Sequence, residues 1–143
     1  MISYARELRA ALDEANGDVD LWIARLGVEL RRMRLKHDTM AITVSTLFGP
    51  QIILRKGLSR KAEIASVAHE LCHDRFHADC VAYRDMERQA IERNERQAEM
   101  FAGLVVFPSL DGYETHEAFQ AGNSRLPENL IAARLEFRER YGW

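Results

Sequence analysis

Apolar positions at the start of the chain recur with a helical period, then alternate, then return to the helical period. Over residues 2–15, Ala5, Leu8, Leu12 and Ala15 fall on one side of a predicted helix. Asn16-Gly17 stops it. Asp18 or Asp20 can cap a second helix. Val19, Trp22, Ile23, Leu26, Leu30 and Met33 keep the helical period, which carries this helix to about Lys36. That stripe reads as core rather than as a docking face. The period then changes. Met40-Ala-Ile-Thr-Val-Ser-Thr-Leu47 is β-branched and alternating, as a half-buried strand is. Gly49-Pro50 turns the chain, and Gln51-Ile-Ile-Leu-Arg55 reads as its partner strand. The segment 40–56 is therefore predicted to be an antiparallel hairpin with one face on helices. Ser59 can cap a third helix over 60–78. A fourth, over 84–107, has an apolar second half in Ala98, Phe101, Ala102, Leu104 and Val105, and stops before Pro108. Residues 109–126 read as loop. Pro127 suits the first turn of a last helix, over 127–140. The pattern predicts one α+β domain over 1–143, mainly helical, with a small antiparallel sheet packed by the third helix.

Composition narrows the class. The chain has 143 residues, 47% of them hydrophobic and 29% charged, an ordinary globular balance. Its 20 Lys+Arg against 22 Asp+Glu give a net charge of -2, which argues against direct nucleic-acid binding. No stretch approaches the roughly 18 apolar residues of a membrane span. The first residues carry acids and no apolar run, so no signal peptide is expected. The cysteines are Cys72 and Cys80. On one helix they would stand about 12 Å apart, too far for a disulfide. A reduced, cytoplasmic setting is expected.

The sharpest chemical signal is Val67-Ala68-His69-Glu70-Leu71-Cys72-His73. His-Glu-x-x-His on a helix puts two imidazoles on one face, where they can share a Zn²⁺. Glu70 follows His69 by one position. It stands beside the metal and can serve as the base of a hydrolytic site. A catalytic zinc takes three protein ligands, so one must come from elsewhere. The fourth helix offers Asn94-Glu95-Arg96-Gln97-Ala98-Glu99. Glu95 can bind the metal, and Glu99, four residues on, can receive the outer N–H of a ligand histidine. The competing view of Glu95 is a solvated salt-bridge face. Glu92, one turn back, is the substitute ligand. His77 extends the histidine stripe. One turn beyond His73 it is too far to share the ion, and is expected at the surface. Cys72 points away from the histidine face and reads as a small core residue. For an oxyanion donor the candidates are Tyr83, Tyr113, His116 and Arg134, with His116 ranked first.

The motif His-Glu-Leu-Cys-His, followed at Glu95 by Glu-Arg-Gln-Ala-Glu-Met-Phe-Ala-Gly-Leu-Val-Val-Phe-Pro, resembles the ImmA/IrrE family of gluzincin-like metallo-endopeptidases. Glu95, Ala98, Phe101, Ala102 and Pro108 match its second helical motif. The likeness spans about residues 40–140. Cys72 stands where the family usually has Gly, and Glu99 where it has Asn or Asp. The resemblance implies a zincin-like fold, with His69, His73 and Glu95 on a Zn²⁺ (or Mn²⁺ or another divalent metal) and Glu70 as base. It also implies a cytoplasmic regulatory protease of bacterial, phage or mobile-element origin. The protein substrate it implies is a helix-turn-helix repressor. The alternative class is a non-catalytic zincin-fold module that sequesters a protein partner. A dead scaffold has no need of Glu70.

Overall fold

The stretch between the first helices and the hairpin departs most from the periodicity. In the computed structural model, which describes residues 1–36, 38–77 and 88–142, the second helix does not reach Lys36. Helix α1 (Ile2–Glu14) is followed by a short α2 (Val19–Arg25), capped by the Asp18 carboxylate accepting from the Leu21 N–H at 3.0 Å. Gly27 then turns the chain at φ 71°, a left-handed conformation that glycine adopts without strain. Beyond it runs a strand, β1 (Glu29–Met33). Leu30 and Met33 satisfy a helical period, yet Glu-Leu-Arg-Arg-Met also alternates, and pairing decides between the two readings.

The hairpin is β2 (Ala41–Thr46) and β3 (Gly49–Arg55), antiparallel from Ala41 opposite Leu54 to Thr46 opposite Gly49. Strand β1 joins β3 in parallel, Glu29 opposite Gln51 through Met33 opposite Arg55. The sheet is therefore mixed and three-stranded, in the order β1-β3-β2, not antiparallel alone. Arg32 locks β1 to the helices. Its guanidinium donates to Glu63 at 2.6 and 3.0 Å and to Asp20 at 2.8 and 3.0 Å. Two carboxylate forks on one guanidinium are a geometry an exposed helical arginine would lack.

Ile52 and Leu54 point inward from β3 and are fully buried. Behind them lie α3 (Arg60–Phe76) and α4 (Arg88–Val106), whose mutual packing is the most extensive in the fold. Val67, Ala68 and Cys72 of α3 meet Ala98, Phe101 and Val105 of α4 in one core with Leu8 and Trp22. The C-terminal end of α4 is held twice. Arg9 donates to the carbonyls of Val105 and Val106, each at 3.2 Å. Buried Arg134 donates to the Phe107 carbonyl at 2.8 Å. Carbonyls at a helix end have no partner within the helix, and these two arginines satisfy three of them.

The segment expected as loop contains α5 (His116–Gly122), capped by Thr115. It buries Phe119 alone, so it has no periodicity to read. Last comes α6 (Glu128–Tyr141), which crosses α4 at Gly103. A Cβ on Gly103 would stand 3.0 Å from Arg134 Cβ. The expected start of the fourth helix at 84, together with Cys80 and Tyr83, lies outside the described residues.

Candidate metal centre

Ser59 fixes where α3 begins, its hydroxyl accepting from the Ala62 N–H at 3.2 Å. Val67, Ala68, Leu71 and Cys72 face the core. The remaining face carries His69, Glu70 and His73 to a half-buried rim. Across from them α4 presents Glu95. The Nε2 atoms of His69 and His73 are 3.0 Å apart. Each stands 3.3 Å from an oxygen of Glu95, His69 from Oε2 and His73 from Oε1. Among the described residues these three form the cluster able to hold a metal ion.

The donor set fits a zinc ion on geometric grounds. Tetrahedral donors about 2.0–2.1 Å from a metal lie about 3.3 Å from one another. The three separations here are 3.0, 3.3 and 3.3 Å. Glu95 is also electronically prepared. Hydrogen bonding from His69, then from His73, holds its carboxyl well below the usual carboxylate range, against the upward pull of partial burial.

Glu70 is anchored from the sheet. Thr43, on the inward face of β2, donates its hydroxyl to Glu70 Oε2 at 2.6 Å. The alternation at 40–47 already sets Thr43 on the face opposite Ile42 and Val44. Which helix residue it meets depends on the packing of sheet on helix. Thr43 is therefore a site residue that the sequence pattern did not find: the apolar alternation would turn Ile42 and Val44 to the helices, and both are instead exposed.

The metal cluster and Glu70 open into a cleft of about 670 Å³. Residues 38–43 form one wall, and Pro127, Asn129 and Leu130 from the start of α6 form the other. A larger groove of about 1090 Å³ runs along another side of α4 and shares Glu95, but neither His69 nor His73 lines it.

Several sequence expectations fall elsewhere. The Glu99 carboxylate accepts from Asn129 Nδ2 and not from a ligand histidine. One turn beyond Glu95 on α4, it meets the start of α6 on the cleft wall. The outer nitrogen of His73, Nδ1, faces His77 Nδ1 at 2.9 Å. His77 is half-buried, with its Nε2 side exposed beside Gln97. Glu92 pairs with Arg88 at 2.8 Å on an exposed face. His116 opens α5 with its Nδ1 3.8 Å from Glu139, and it does not line the cleft. Tyr113 and Arg134 do not line it either. The Tyr113 hydroxyl accepts from Asn123, and the Arg134 Nε serves the Phe107 carbonyl. An oxyanion role for His116 is thus not supported by its position. Buried Cys72 is a core residue whose thiol burial pushes up to about 12.

Compared with known proteins, residues 22–137 match the sequence model of the IrrE N-terminal-like domain, Peptidase_M78. No curated protein and no solved structure matches.

Proposed function

We propose that this chain, which belongs to the IrrE N-terminal-like family of peptidases (Peptidase_M78), is a zinc-dependent endopeptidase. One observation carries the reading. His69, His73 and Glu95 converge at 3.0–3.3 Å, and Glu70 stands next to them, oriented by Thr43. A divalent ion on those three residues supplies Lewis-acid polarisation of water and of a peptide carbonyl. Zinc suits two imidazoles and a carboxylate, and manganese, cobalt or iron can use the same donors. Glu70 takes a proton from the attacking water and delivers it to the leaving amine. The Thr43 hydroxyl occupies Oε2 of Glu70, which leaves Oε1 for that proton.

The substrate strand is argued from the sheet. Strand β2 ends the sheet order among the described residues, and its first residues wall the cleft. An edge strand recruits a peptide in extended form by main-chain pairing. The scissile segment is therefore extended, and a folded helix does not fit that role. A cytoplasmic helix-turn-helix repressor is the substrate class that the family resemblance suggests. Cleavage would fall in its extended linker, and any effect on DNA would be indirect. The near-neutral charge supports a protein partner over a nucleic acid.

The test is Glu70→Gln beside wild type, each scored for zinc content and for cleavage of full-length helix-turn-helix repressors and of a panel of unfolded peptides. The reading expects equal zinc in both, cleavage by wild type alone, and few peptides cut. Full biological effect with Glu70→Gln would make the domain a binding module. Broad peptide cleavage would make it a general peptidase.

A further inference from the structure

The third histidine of the stripe is not idle. His77 ends α3, and its ring lies 4.9 Å from the ring of His73. Its Nδ1 is 2.9 Å from His73 Nδ1, and its Nε2 is 3.1 Å from Gln97 Oε1 on α4. A neutral imidazole carries one proton, so it donates from one nitrogen and accepts at the other. An amide oxygen only accepts. With a metal ion on His73 Nε2 in place of the hydrogen bond to Glu95, and the Gln97 oxygen facing His77, the order of protons along this chain is fixed. His77 holds its proton on Nε2 and donates it to Gln97. Its Nδ1 lone pair accepts the Nδ1–H of His73. His73 is left with a bare Nε2, the atom that faces His69 and Glu95.

We infer that His77, set by Gln97, is the positioning residue of His73: it fixes the tautomer that frees Nε2 for the metal. This rests on the metal-centre reading above and deepens it. Metal-binding histidines commonly donate their outer N–H to a carboxylate or a backbone carbonyl. Here that partner is a second imidazole, and the expected carboxylate, Glu99, is engaged by Asn129. Reversing the Gln97 amide would reverse the relay. His77 would then donate from Nδ1, and His73 would carry its proton on Nε2, where no metal can bind. Helix α4 thus contributes twice to the site, through Glu95 as ligand and through Gln97 as the end of the relay.

The experiment has two readouts other than turnover. Long-range ¹H–¹⁵N correlation on zinc-loaded wild type should show His73 protonated at Nδ1 and His77 at Nε2. A His77 protonated at Nδ1 would overturn the relay. Zinc affinity, measured by chelator competition, should fall about 10- to 100-fold in His77→Phe, which keeps a ring but lacks the acceptor. His77→Gln, whose amide oxygen can accept from His73 Nδ1, should recover most of that loss. Gln97→Leu should lose less than His77→Phe. Equal affinity in wild type and His77→Phe would overturn the relay alone. No zinc bound by wild type would overturn the metal centre and the relay with it.

Discussion

The two halves of α4 do opposite work. From Ala98 to Val106 nearly every side chain is buried, and two arginines hold its carbonyl end. From Arg88 to Gln97 the helix is charged and largely exposed, with Asn94 the buried exception. The chemistry sits on the exposed half and the rigidity on the buried half. A metal ligand must be held to within a fraction of an ångström while remaining open to substrate. One continuous helix meets both demands, because the packed half fixes the axis along which Glu95 and Gln97 project.

Substitutions can separate those roles. The largest effect should come from the buried half. Phe101→Ala empties a fully buried ring site and should cost about 3–5 kcal/mol of stability, read by denaturant unfolding. Zinc binding should fail only where the fold does. Glu95→Ala should do the reverse. Losing one of three ligands should weaken zinc by more than about 100-fold, beyond the loss from an outer partner. Its melting temperature without metal should stay near wild type. A large loss of stability in Glu95→Ala would erase the distinction between the halves.

Gly103→Ala sharpens the picture on the buried side. A methyl there would press on Arg134 Cβ at 3.0 Å, and α6 must move away. Alanine's better helix propensity offsets part of that strain, so the net cost should be about 1 kcal/mol. An increase in stability would show that α4 and α6 are not tightly apposed. Arg9→Ala removes two hydrogen bonds from the end of α4 and should cost about 1 kcal/mol, with zinc affinity unchanged. The smallest change in stability should come from Thr43→Val, a near-isosteric swap. It removes the hydroxyl from Glu70 and should lower turnover about tenfold, while zinc affinity and melting temperature hold. Unchanged turnover would sever Thr43 from the base.

The same contrast explains what the sequence could show. His69 and His73 are four residues apart on one helix, so their shared face is a local property. The apolar run after Gln97 marks the packed half of α4 for the same reason. Strand β1 was not legible, because its identity lies in pairing with β3 about twenty residues later. Gly27 was the available signal, a left-handed residue inside an apparently continuous helical period. Glu99 and His116 failed for a third reason. Each is placed by which helix packs beside it, α6 in both cases, and spacing along the chain does not encode that. Spacing alone puts His77 too far from the ion to be a ligand. Its contact with the back of His73 follows from the same i,i+4 spacing that flagged the motif.

The central claim is the ligand set itself. Zinc-edge X-ray absorption on the reconstituted wild-type chain tests it most directly. The account predicts one zinc per chain, with nitrogen and oxygen neighbours at about 2.0–2.1 Å and the scattering pattern of two imidazoles. A sulfur shell near about 2.3 Å, or no bound zinc after reconstitution, would contradict it.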